Sequence, residues 1–158
     1  MTEHGIEIEA VTAPTEEVRV LVEELEAELA ALYSAEQRHG LALDAIFQPH
    51  IRFFVARCDG AAAGCGGVAF FRDFAEVKRM YVRKELRGLG IAPAILARLE
   101  AETRARGLRL LRLETGTESF AAQRFYARMG FHECDAFEPY AAMAPHNVSA
   151  SAFYEKTL

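Results

Sequence analysis

Apolar and polar positions alternate along GIEIEAVT, residues 5–12, the period of a half-buried strand. After Pro14 and Thr15 the period lengthens. Val18, Leu21, Val22, Leu25, Leu29 and Leu32 recur at three- and four-residue spacing, which predicts an amphipathic helix whose other face, a run of glutamates, reads as solvated. Residues 34–50 lose the period, are broken by Gly40, and are expected to hold a second short helix between loops. IRFFVARCDGAAAGCGGVAFF predicts a β-hairpin about Asp59-Gly60, and AEVKRMYV a further strand. Beyond a short basic segment with two glycines, Ile91, Ile95, Leu96 and Leu99 mark a helix ending near Gly107, and LRLLRLET reads as a strand. SFAAQRFYARMGF predicts a helix with Phe125, Tyr126 and Met129 inward, capped by Gly130 and followed by a strand over 131–135. AFEPYAAMAPHNV is a long loop, and SAFYEKTL supplies the last strand. The order is mixed α/β, largely antiparallel in its first half, with one strand-helix-strand crossover.

At 158 residues, 51% of them apolar, the chain is expected to form one domain over 1–158 with a core large enough to need no staples. No apolar run approaches the roughly 18 residues of a membrane span and no terminal signal pattern is legible, so a cytoplasmic protein is expected. Cys58, Cys65 and Cys134 form no CxxC pair, and His4, His39, His50, His132 and His146 are scattered. Neither a disulfide framework nor a metal site is therefore expected. A net charge of −5 argues against general nucleic-acid binding. The charge is uneven, however. Residues 14–36 hold seven Glu against one Arg, a local −6, whereas residues 72–112 hold eleven Lys and Arg against five Asp and Glu, a local +6.

The two glycines, in RGLGIA, lie in that basic half. The first backbone N–H groups of a helix lack intrahelical partners and carry the positive end of its dipole, so an anion is stabilised there. Gly88 and Gly90 clear side chains from the approach, Arg87, Arg83 and Lys84 add positive field, and Pro93 falls where a missing N–H costs nothing. A Walker loop is excluded because no GK[ST] follows. A dinucleotide fingerprint is excluded because Pro93 stands at the third glycine and Leu108 at the ribose-binding acid.

The strand EVKRMYV, the turn RGLGIA fitting [RQ]-x-x-G-x-[GA], and SFAAQRFYARMGF together resemble the acetyl-CoA-binding core of the GNAT superfamily of N-acetyltransferases, over about 76–131. The hairpin and the tail are further similar to a bacterial subgroup of small, single-domain members. The resemblance implies a mixed central sheet of six to seven strands with about four helices and splayed central strands that bind acetyl-CoA. It implies that Arg87, Gly88, Leu89, Gly90, Ile91 and Ala92 hold the pyrophosphate through their backbone. Met80, Tyr81 and Val82 would pair with the pantetheine arm as with an added strand. It further implies Glu76 as the base that deprotonates the acceptor amine and Tyr126 as the acid that protonates the departing thiolate and contacts the cofactor. Ser119 stands where many relatives carry an asparagine near the pantetheine.

The expected activity is direct transfer of acetyl from acetyl-CoA to a primary amine of a small molecule in a ternary complex. A non-catalytic acyl-CoA sensor and a protein or peptide N-acetyltransferase are the alternatives, and a homodimer through sheet edges or the C-terminal strand is compatible with the fold. Tyr33, His39, Phe47, Tyr140 and His146 are candidate acceptor-lining residues, with His39 and His132 as alternative bases. A nucleophilic Cys65 or Cys134 is disfavoured because no Cys-His arrangement is legible.

Overall fold

In the computed structural model, which describes residues 5–158, seven strands form one sheet in the order β1-β2-β3-β4-β5-β7-β6. Strand β1 (Ile6–Val11) is antiparallel to β2 (Ile51–Cys58), which forms a hairpin with β3 (Ala61–Phe70). Asp59 (φ 51°) and Gly60 (φ 87°) are both left-handed, as a two-residue hairpin turn that follows the strand twist requires. Strand β4 (Ala75–Val82) continues the antiparallel half; helix α2 (Ile91–Ala105) then crosses over to β5 (Leu110–Gly116), parallel to β4. Helix α3 (Phe120–Arg128) leads to the two-residue β6 (His132–Glu133), and the one-turn α4 (Pro145–Val148) precedes β7 (Ser151–Thr157), which is inserted between β5 and β6.

Helix α1 (Glu16–Ala30) begins at Thr15, whose Oγ1 accepts from the Val18 amide at 3.2 Å, and covers one face of the sheet. Val18, Leu21, Val22 and Leu25 pack there with Phe53, Val55, Cys65 and Tyr81. The other face carries α2 and α3: Ile91, Ile95, Leu96, Leu99 and Tyr126 pack on Phe54, Val68, Val77, Leu111 and Leu113. A third, aromatic cluster of Phe137, Tyr140 and Phe153 closes the end next to β7.

Four local expectations change. The second helix over 34–50 is two 3₁₀ turns, Ala35–Gln37 and Asp44–Phe47, separated by Gly40, where a Cβ would stand only 2.2 Å from the Arg79 guanidinium. The strand over 131–135 shortens to β6, paired with β7 at His132 and Glu133, with one bond beyond it from the Cys134 amide to the Phe153 carbonyl at 2.9 Å. The loop after it contains a 3₁₀ turn, Tyr140–Ala142, as well as α4. Leu32 is 53% exposed, since α1 stops at Ala30 and the stripe loses its period there.

The glutamate face of α1 is also not simply solvated. Glu17 pairs with Arg57 at 2.7 Å, Glu24 with Arg83 at 2.9 Å and Glu28 with Arg87 at 2.7 Å, so the acidic helix docks on basic residues of β2 and of the segment after β4, all of which come later in the sequence. The Arg83 guanidinium holds the Glu24 carboxyl below the usual carboxylate range. Lys84 enters no ion pair among the described residues, so the two arginines flanking it are the ones whose field α1 offsets.

Candidate active site

Strands β4 and β5 pair only at Ala75 with Leu111 and at Glu76 with Arg112, then diverge. One cause lies on β4 itself. Between Lys78 and Tyr81 it carries two residues, Arg79 and Met80, opposite the single Gly66 of β3, a bulge that redirects the strand. Arg79 takes φ 53°, an uncommon conformation for a side chain of its size, and is held by an Nε bond to the Leu41 carbonyl at 2.9 Å and an ion pair to Glu26 at 2.5 Å.

The wedge between the strands is a cavity of about 780 Å³. Its walls include β4 from Glu76 to Val82 and β5 from Leu113 to Gly116; from Val77 on, β4 and β5 no longer pair with each other. Six residue steps along β4 make the wedge about 20 Å long. At one end stand Glu76, Lys78, Glu114, His39 and Tyr140; at the other, Arg87 and Ala92 open onto the glycine turn.

That turn is built for exposed amides. Gly88 (φ 84°) and Gly90 (φ 87°) are left-handed, and a Cβ on Gly88 would meet nothing within 4 Å, so the space beside it is not spent on packing. Among the described residues the N–H groups from Gly88 to Ala92 find no acceptor, and the first ladder bond of α2 runs from the Ala94 amide to the Gly90 carbonyl at 3.2 Å. Five consecutive free donors, three ahead of the 15-residue α2 and two from its first residues, form an anion cradle. The Arg87 guanidinium at its edge is shared between the Val82 carbonyl, 2.9 Å from Nε, and Glu28.

A wedge between two parallel strands, a bulged first strand and a free-amide turn at the next helix are the features that match a known family. Residues 18–131 fit the model of the acetyltransferase (GNAT) family. The chain belongs to the GNAT family.

An IAA acetyltransferase of Azospirillum brasilense is 43% identical over 122 residues, covering 76% of this chain and 80% of that relative. A Klebsiella pneumoniae protein provisionally named acyl-CoA N-acyltransferase superposes with a TM-score of 0.78 at 31% identity over 97% of both chains. A Thermoplasma acidophilum PaiA N-acetyltransferase, solved in complex with coenzyme A, shares the fold with a TM-score of 0.71 at 18% identity, over 98% of this chain and 99% of that one. The GNAT fold here is a mixed sheet of seven strands with four α-helices among the described residues and splayed central strands, within the expected six to seven strands and about four helices.

Against the GNAT frame, Glu76, Met80, Tyr81, Val82, Arg87, Ala92, Ser119 and Tyr126 all line the cavity. Gly88, Leu89, Gly90 and Ile91 do not line it but stand between Arg87 and Ala92, which do; the Ile91 side chain is buried in the core. The Tyr81 hydroxyl turns away to donate to Glu24 Oε1 at 3.0 Å, and burial with that carboxylate pushes it up to about 12, so Tyr81 has only backbone to offer. Tyr126, wedged between Phe125 and Phe131, makes no hydrogen bond to a described residue, and burial raises its hydroxyl far above the ordinary phenol value. It therefore stays protonated at neutral pH. Ser119 Oγ is 2.9 Å from Tyr33 Oη, which also accepts from the Glu118 amide at 2.9 Å; Tyr33 thus reaches from the end of α1 across the wedge to the β5–α3 junction. Only a glycine fits beneath it, since a Cβ on Gly116 would stand 1.9 Å from the Tyr33 oxygen.

Glu76 is 1% exposed. Its Oε2 accepts from Tyr140 Oη at 2.6 Å and from Lys78 Nζ at 2.9 Å, while Oε1 is buried without a partner. The sequence reading missed Glu114, which faces the same cavity from β5, accepts from Ser151 Oγ at 2.7 Å, and is pushed up to about 7 by withdrawal from water, with the Glu76 charge adding to the rise. The only local signal was its alternation with Leu111 and Leu113 in LRLET. Of the acceptor-lining candidates, Tyr33, His39 and Tyr140 reach the cavity and Phe47 and His146 do not. His39 Nε2 lies 2.6 Å from the Asn147 carbonyl, tying the two covering segments together. His132 and Cys134 lie outside the cavity, and burial pushes the Cys65 thiol up to about 12, which makes it a poor nucleophile.

Proposed function

We propose that the protein transfers an acetyl group from acetyl-CoA to the primary amine of a small molecule. The observation that carries this reading is the pairing of five free amides over Gly88–Ala92 with an unpaired β4 edge that leads from them to two carboxylates. The chain's residues fit the cofactor: the amides suit phosphate oxygens, and the strand edge suits the two amide groups of a pantetheine arm. Acetyl-CoA supplies a thioester-activated acetyl group.

The chain does the rest. The bulge at Arg79 keeps β5 away so that the arm can lie along β4. Tyr126 holds a proton at Oη, inside the cavity, where a departing sulfur needs one. Glu76 and Glu114 place negative charge at the far end of the wedge, where an alkylammonium is favoured over a neutral or anionic acceptor. Lys78 offsets part of this charge, since its ammonium pairs with Glu76 and Tyr140, so two carboxylates stand against one ammonium at this end.

Calorimetric titration with acetyl-CoA tests the reading. The wild-type chain binds, and Gly90→Asp binds at least tenfold more weakly, because a carboxylate would stand beside the phosphates and the left-handed φ disfavours any side chain. Equal affinities would move the phosphate site elsewhere.

A further inference from the structure

The two carboxylates at the far end of the wedge differ in what they can still do. Glu76 is fixed: one oxygen holds the Tyr140 hydroxyl and the Lys78 ammonium, and a proton added there would break a charge-assisted pair. Glu114 is bound only by the neutral Ser151 hydroxyl and retains an oxygen directed at no described donor. Glu76 and Arg112 face each other in the register, and Glu114 stands two residues beyond Arg112, on the same face as Lys78.

The geometry points to Glu114 as the group that takes the proton from the acceptor ammonium, with Glu76 as the fixed neighbouring anion whose charge favours the ammonium beside it. This inference rests on the acetyltransferase reading and departs from the base expected at Glu76. One proton passes from R–NH3⁺ to a Glu114 oxygen and frees the nitrogen pair. The C–N bond forms as the C–S bond breaks, and that electron pair leaves with sulfur. The second proton lost by nitrogen reaches sulfur by way of Tyr126 Oη. Glu114 then returns its proton to water, so each turnover releases one proton overall.

Among the described residues, the groups that face Glu114 are Glu76 and Lys78 from β4, Ser151 from β7 and Tyr140 from the loop before α4, with His39 packed on Tyr140 in the same cavity. Withdrawal from water raises Glu114 and the Glu76 charge adds to this, while the Ser151 hydroxyl and Lys78 lower it; the net position near 7 suits a base that must both take and release a proton at neutral pH. An arriving ammonium reinforces the device, because its charge favours ionised Glu114 before transfer and the neutral amide product removes that bias afterwards.

The test is acetyl transfer to a panel of n-butylamine, 1,4-diaminobutane, phenethylamine and glycinamide, followed by thiol release over pH 5.5–9. With the best acceptor, wild-type kcat/KM rises with pH up to about 7 and then levels. Glu114→Gln loses that rise and about 10²-fold in rate at pH 7.5. Glu76→Gln raises KM for the amine but keeps the rise, displaced to lower pH because the neighbouring charge is gone. A Glu114→Gln enzyme that retains the rise and loses less than threefold overturns the assignment, whereas a folded wild type that acetylates no amine fails the acetyltransferase reading instead. In that second case infrared titration still decides: adding n-butylammonium must lower the midpoint of a carboxyl band that Glu114→Gln lacks, and an unmoved midpoint overturns the inference.

Discussion

Replacing Glu114 by Gln should change how stability depends on pH, by an amount set by the cavity. The carboxyl sits near 7 in the folded chain against an ordinary value of 4.5, because it is withdrawn from water beside Glu76. Between those two values the folded chain holds a proton that the unfolded chain has released. Stability therefore falls as pH rises through this window, and the full penalty applies above it. At about 1.4 kcal/mol per pH unit, the span amounts to about 3 kcal/mol. Gln is neutral throughout, and its carbonyl can keep the Ser151 bond. Urea unfolding of both proteins, followed by circular dichroism from pH 4.5 to 8, should show Glu114→Gln gaining about 3 kcal/mol on the wild type across the window. Taking the difference removes contributions common to both proteins, such as Glu24, whose lowered position acts in the opposite sense. Two curves that stay parallel within about 0.5 kcal/mol would refute the argument that this carboxyl is desolvated, and with it the reason for a base there.

Two further substitutions probe the wedge. Tyr33→Phe removes the bonds to Ser119 Oγ and the Glu118 amide and should cost about 1–2 kcal/mol in chemical denaturation, and Gly116→Ala should do at least as much by displacing the same ring. Tyr126→Phe keeps the packing between Phe125 and Phe131, so it should leave the melting temperature and the acetyl-CoA Kd within twofold while lowering kcat by about 10²-fold in steady-state assays.

Much of this architecture is written locally. Asp59-Gly60 calls for a hairpin turn, the Val18–Leu25 stripe for a covering helix, and Gly88 and Gly90 for a left-handed approach to α2; in each case neighbouring residues specify the conformation. The site is less local. Glu76 and Tyr126 were legible through the family pattern, but Glu114 looks like any polar strand position until β4 and β5 diverge and turn it from a sheet neighbour into a cavity wall. The divergence depends on one extra residue at Arg79 relative to β3, a count between strands that no window along the chain reveals. The same holds for α1. Its glutamates carry the pattern of a wet face, and only the tertiary arrangement brings Glu24 and Glu28 onto Arg83 and Arg87. Tyr33 and Leu32 follow the helix end, where periodicity stops being informative, and one becomes a clasp across the wedge while the other stays exposed.

The central claim is that the amides from Gly88 to Ala92 and the free edge of β4 are one continuous cofactor site. A crystal structure of the chain grown with acetyl-CoA tests it most directly. The account predicts pyrophosphate oxygens on those amides, the pantetheine lying along Met80 to Val82 between the splayed strands, and the sulfur near Tyr126 Oη. A diphosphate bound away from the start of α2, or an arm that leaves the wedge between β4 and β5 empty, would contradict it.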